Sequence, residues 1–132
     1  MDLSNLKPKS DTVEVLLKHP GNGEQLMTPK GVEMSVTVHA PHSKEYKKAL
    51  YEQQNARLKK VQSGKADALD AADLAEARLR LLAEVTLAWE ITLDGKCPKL
   101  TKEAAYKIYE DIFWIPGQIE EALDNYLDFP EG

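Results

Sequence analysis

The chain has 132 residues, a formal net charge of −5 and a single cysteine. That length suits one domain with one core, and the acidic balance argues against a general nucleic-acid binder. Cys97 alone forms no internal disulfide, which points to a reducing cytoplasm, and no apolar run is long enough to span a membrane.

The first ten residues read as a short polar arm without the apolar core of a secretion signal. Thr12 to Lys18 is rich in β-branched residues and predicts a strand. His19 to Gly23 (HPGNG) predicts a turn, because proline sets φ and glycine and asparagine accept positive φ. Glu24 to Thr28 is a candidate second short strand, and Pro29 to Gly31 a further turn. From Val32 to His39 the residues alternate. Val32, Met34, Val36 and Val38 share one face, and Glu33, Ser35, Thr37 and His39 the other. Residues 1–42 therefore predict a β arm, a hairpin or small meander, whose apolar face needs helices or a partner molecule against it.

Residues 43–132 predict four helices. Pro41 ends the strand, and Ser43 is placed to cap a helix over Lys44 to Gln62. Its apolar positions are Tyr46, Ala49, Leu50, Leu58 and Val61. Between Lys44 and Lys65 stand seven Lys or Arg against two acids. Ser63-Gly64 marks a stop. The next helix is expected over Asp67 to Trp89, with Asp73, Glu76, Arg80 and Glu84 in one charged seam. The rest of that stretch is so apolar that neighbours are expected on several sides, which makes it the central helix. Asp94-Gly95 predicts a tight turn. Thr101 is placed to cap a third helix with inner residues Ala105, Ile108, Tyr109 and Ile112, and Phe113 to Ile115 forms an aromatic connector. Pro116 suits the first position of the last helix, whose stripe is Ile119, Ala122, Leu123 and Tyr126, ending at Phe129 and Pro130. From Ile108 onward there are seven acids and no Lys or Arg, so the chain is charge-polarised. The fold class is thus α+β, mainly α: one domain over residues 1–132, with a β hairpin or meander followed by a four-helix part.

No catalytic signature emerges. His39 and His42 would need a convergent third ligand to hold a metal, and Pro41 makes the segment between them irregular. Asp67, Asp70 and Asp73 lack the glycine and terminal glutamate of a calcium loop; favourable charge at a helix N-terminus explains them better. Cys97 has no paired histidine or local positive field. Gly21 to Gly23 is too short for a phosphate loop. The basic helix lacks aromatic interleaving and reads as a solvated face. Trp89, Phe113 and Trp114 read as core. No catalytic, cofactor-binding or metal-ligating residue is therefore assigned, and no cofactor. Association is better supported: the hairpin has an exposable edge, and two charge poles suit copies joining head to tail.

Several segments carry a family resemblance. They are Ala88 to Gly95 (AWEITLDG), Pro98, Leu100 to Ala105 (LTKEAA), Trp114 to Ile119 (WIPGQI) and Asn125 to Phe129. Together they resemble the C-terminal half of the tail assembly chaperones of long-tailed bacteriophages. There a helix ends in a tryptophan, and a Thr- or Ser-capped helix leads to a final helix ending in phenylalanine. Val36 to Ser43, entering a Lys-rich helix, is similar to their strand-to-helix junction. The likeness spans about two-thirds of the chain, as a diffuse pattern that carries no catalytic motif.

The resemblance implies a non-enzymatic, non-virion factor in the host bacterial cytoplasm, encoded by a phage or prophage. It would bind and solubilise the tape measure protein and help recruit tail tube subunits. A homo-oligomer is expected, without nucleic acid or membrane. Candidate client or self-association surface is Val32, Met34, Val36, Val38, Leu74 and Trp114, since a holdase must offer apolar surface. The alternative is a phage structural or adaptor protein, a connector or tube component, that stays in the particle. More distant readings are a small metal-dependent hydrolase using His39 and His42, and a DNA-binding regulator using the basic helix.

Overall fold

The structure, a computed structural model, describes residues 11–62 and 71–125. It is α+β and mainly α, with four helices and one three-stranded antiparallel sheet. The elements are β1 (Thr12–Leu16), β2 (Ser35–His39), α1 (Lys44–Gln62), α2 (Ala71–Val85), β3 (Thr86–Glu90), α3 (Lys102–Asp111) and α4 (Trp114–Asn125).

The strand order is β1-β2-β3, with Val15 opposite Val36 and Val36 opposite Trp89. Val15, Leu17, Val36 and Val38 turn inward and join Leu82, Val85, Ala105, Ile108, Tyr109, Ile115, Ile119 and Leu123 in one core. The helices thus cover one face of the sheet. Met34, Trp89 and Trp114 pack at the margin of this core.

The hairpin is shorter and more irregular than the sequence predicts. Glu24 to Thr28 is not a strand; it touches its neighbours through isolated bridges, Lys18 to Gln25 and Met27 to Glu33. The turns follow local chemistry. Gly23, Gly31 and Gly95 have positive φ, as does Asp94 at 52°. Leu93 and Lys96 exchange both backbone bonds across Asp94-Gly95, as a two-residue turn with positive φ at both centres requires.

The largest departure lies at the end of the helix expected over Asp67 to Trp89. The α2 helix stops at Val85, and Thr86 to Glu90 is a strand that joins directly without a loop. Residues 67–70 lie outside the described residues. The α2 helix does have neighbours on several sides, α1, α3 and β2, as expected of a central helix, but its burial is uneven: Leu82, Ala83 and Val85 are buried, while Asp73 to Glu76 near its start are exposed. The consequence for the hairpin is direct, because β2 is the central strand and its second edge is taken by β3.

The two remaining edges are both blunted. The register between β2 and β3 shifts at Thr37/Val38, with Thr37 opposite Ala88 and Val38 opposite Thr86, so Leu87 is the extra residue of a bulge. Just beyond β1, the Lys18 N–H donates to Gln118 Oε1 at 2.9 Å, and Gln118 Nε2 donates to the Lys18 carbonyl at 2.7 Å. One side-chain amide from α4 thereby fills the place of a fourth strand. Gln118→Leu is expected to lower stability by about 1 kcal/mol and to speed hydrogen exchange at the Lys18 amide. Unchanged exchange there would show that the fork carries no protection.

Both caps form. Ser43 Oγ accepts from the Tyr46 N–H at 3.1 Å, and Thr101 Oγ1 from the Ala104 N–H at 3.0 Å. The last helix begins at Trp114, two residues before the expected Pro116 start. Pro116 still lies within the first turn, where its missing N–H leaves no bond unmade. Tyr126, Phe129 and Pro130 lie outside the described residues. No described helix is long and apolar enough to cross a membrane.

Candidate interaction surfaces

The two histidines flanking Pro41 do not converge. His39 Nδ1 lies 3.9 Å from Glu45 Oε2, while His42 Nε2 lies 3.0 Å from Asp11 Oδ1. Among the described residues no group of three His, Cys, Asp or Glu is placed to hold a metal ion. His19 uses its ring inside the HPGNG turn, where Nδ1 accepts from the backbone of Gly21 and Asn22 at 2.9 and 3.2 Å. Those N–H groups are turned inward on the loop. Cys97 is exposed. Asp73 is exposed near the start of α2; Asp67 and Asp70 lie outside the described residues.

Of the six residues read as client or self-association surface, the structure divides them sharply. Val36 and Val38 are 1% and 0% exposed. They are core, because the helices already cover the face they share, so they offer nothing to a partner in the folded state. Met34 and Trp114 are half-buried and pack against that core. Only Val32 and Leu74 are open, at 45% and 49%. The alternation that places Val32 with Val36 stops short of it: β2 begins at Ser35, and Val32 lies in the preceding turn segment.

Three apolar surfaces emerge, and of their residues only Val32 was assigned to a surface from the sequence. Phe113, expected in the core, is 80% exposed on the Ile112–Phe113 link between α3 and α4. On α1, Tyr51 and Leu58 are exposed, although Leu58 was expected on the inner face. Only Ala49 of that helix is buried among its described apolar side chains. The third surface lies where the strand ends meet the turns. Leu16, Met27 and Val32 line a concavity there with Glu14, Glu33 and Glu90. A signal for it exists in the sequence: Leu16 follows Val15 out of alternation, and Met27 and Val32 bracket the Pro29–Gly31 turn.

Exposed charged side chains add contacts within and between the helices. Arg80 stacks 4.2 Å over the Tyr106 ring and bonds Glu76; Lys102 reaches Glu84 at 2.6 Å; Arg78 reaches Glu120 at 2.7 Å. Such pairs contribute little each. At Glu120 burial outweighs the neighbouring Arg78 and raises the carboxyl above its usual range. Burial likewise raises Tyr46, with Glu120 and Asp124 adding to it. Where α1 meets α2, Gln53 Nε2 donates to the Ala77 carbonyl at 2.7 Å.

Searches against protein-family models, curated proteins and solved structures give no match.

Proposed function

We propose that this chain is a tail assembly chaperone of a long-tailed phage or prophage, acting in the host cytoplasm. It binds and solubilises the tape measure protein and helps recruit tail tube subunits, without enzymatic chemistry. The sequence pattern from Ala88 to Phe129 suggests the role. The observation that carries it physically is exposed apolar surface on the α1 and α2 helices, where Leu58 and Leu74 are each open to solvent. A helical client presents rows of apolar side chains that such helices match. Helix-to-helix contact of this kind leaves the chaperone's own core untouched, so binding and release need no unfolding.

The test is co-expression with the long coiled-coil protein encoded beside this chain. The partner is expected to become soluble and to co-purify. Leu74→Asp is expected to reduce recovery of the soluble partner severalfold while the variant keeps the wild-type melting transition, since its side chain is open to solvent. A partner that stays insoluble while this chain elutes by itself would overturn the reading. Recovery of the chain from purified particles would favour a structural adaptor instead.

A further inference from the structure

We infer that this protein self-associates head to tail, with the outward face of α1 from one copy seated in the Leu16/Met27/Val32 concavity of the next. The two surfaces are complementary in charge. At 100° per residue, Lys44, Lys47, Lys48, Tyr51 and Leu58 fall on one side of α1, opposite Tyr46, Ala49 and Gln53, which face the protein. The outward face therefore carries two exposed apolar side chains in a field of lysines. The concavity has the converse pattern: three aliphatic side chains with Glu14, Glu33 and Glu90 around them. Among the described residues, no ion pair engages Lys44, Lys47 or Lys48, nor Glu14, Glu33 or Glu90. Each surface thus holds like charges that its own molecule does not neutralise and that the other surface would.

Tyr51 is the natural anchor. A tyrosine brings a large apolar ring and a polar tip at low entropic cost, and aromatic anchors carry a large share of interface energy. Phe113 is the competing apolar surface, beside Asp111. It protrudes from a helix link, however, whereas the α1 face is itself convex and needs a hollow to enter. The α1 face and the concavity are different surfaces of one molecule, so the contact is heterologous. It repeats from copy to copy and gives chains, or a ring if the rotation closes.

The inference does not depend on the proposed function, and its test needs no client. Sedimentation of the full chain at low salt is expected to show concentration-dependent association that weakens as salt rises. Val32→Asp and Tyr51→Asp each destroy one half of the contact and are each expected to weaken association at least about tenfold. Both side chains are open, and the Val32 backbone bonds to Thr28 do not involve its side chain, so both variants should fold. Met27→Glu serves as a second block of the concavity. Mixing the Val32→Asp and Tyr51→Asp proteins leaves one intact pair of surfaces and should give a one-to-one dimer that grows no further. Phe113→Ser should leave association unchanged. A wild-type protein that stays monomeric at low salt, single variants that still associate, a mixture that stays monomeric, or loss of association in Phe113→Ser would each overturn the inference.

Discussion

Val38→Asp is expected to leave the protein unfolded at room temperature. Val38 is fully buried in the central strand and joins Val36 against the helices. The substitution forfeits about 2 kcal/mol of apolar burial and places a carboxylate where nothing pairs with it, a further cost of several kcal/mol. A domain of this size has roughly 5–15 kcal/mol in total. Far-UV circular dichroism and urea titration would show loss of a cooperative transition. Val32→Asp is the matched control, six residues earlier in the same alternating run and open to solvent, and it should melt like the wild type. A near-normal transition for Val38→Asp would mean that the inner face of the sheet is not packed as described. The comparison also separates two meanings of apolar alternation, since only one end of the run is available to a partner.

The second large effect is at high pH. The Tyr109 hydroxyl lies 2.6 Å from Thr86 Oγ1, which itself donates to the Leu82 carbonyl at 2.7 Å. The tyrosine is therefore the donor in a short relay joining α3 to the α2–β3 junction. Burial raises its pKa to about 12. The folded state thus holds the proton more tightly than the unfolded chain, whose tyrosine titrates near 10. The associated stability is complete below pH 10 and is lost as pH rises through the folded value; roughly 2 kcal/mol is gone by pH 12. Tyr109→Phe should cost about 1 kcal/mol at neutral pH, from the lost bond, but lacks this alkaline loss. The stability difference between the two proteins should shrink above pH 10 and change sign before pH 12. Tyr46, Tyr106 and Lys102, whose values are also raised, titrate in both proteins and cancel in the difference. A difference that stays flat across this range would show that Tyr109 is not the group responsible.

Features set by a few adjacent residues were legible in the sequence. The Ser43 and Thr101 caps, the Asp94-Gly95 turn and the inner stripe Ala105, Ile108 and Tyr109 all depend on local chemistry or a single period. Strand β3 was not legible, for a physical reason. Val85 to Trp89 continues the apolar run of α2 without glycine, proline or asparagine to mark a stop. What ends the helix is the unfilled edge of β2, a partner distant in sequence, and pairing there overrides local propensity. Of the surface positions, Leu74 was found because a wide apolar helix rarely covers all of itself. Val36 and Val38 were misassigned because a periodic apolar face looks the same whether the chain or a partner covers it. The concavity joins the end of β1, at Leu16, to both sides of the Pro29–Gly31 turn, at Met27 and Val32, and no short window of sequence contains all three.

The Gln118 fork also sets an order of events during synthesis. It ties Lys18 to a residue one hundred positions later. As the chain leaves the ribosome, β1 and β2 emerge first, β3 comes after two helices, and α4 emerges last of the described elements. Until β3 arrives the central strand has a bare side, and until α4 arrives the end of β1 does too. The nascent protein therefore carries unsealed strand edges through most of its translation, and contacts this distant in sequence close slowly. Ribosome-bound chains halted before residue 114 would be the forms most exposed to mispairing, and the final helix acts as a latch that ends that interval.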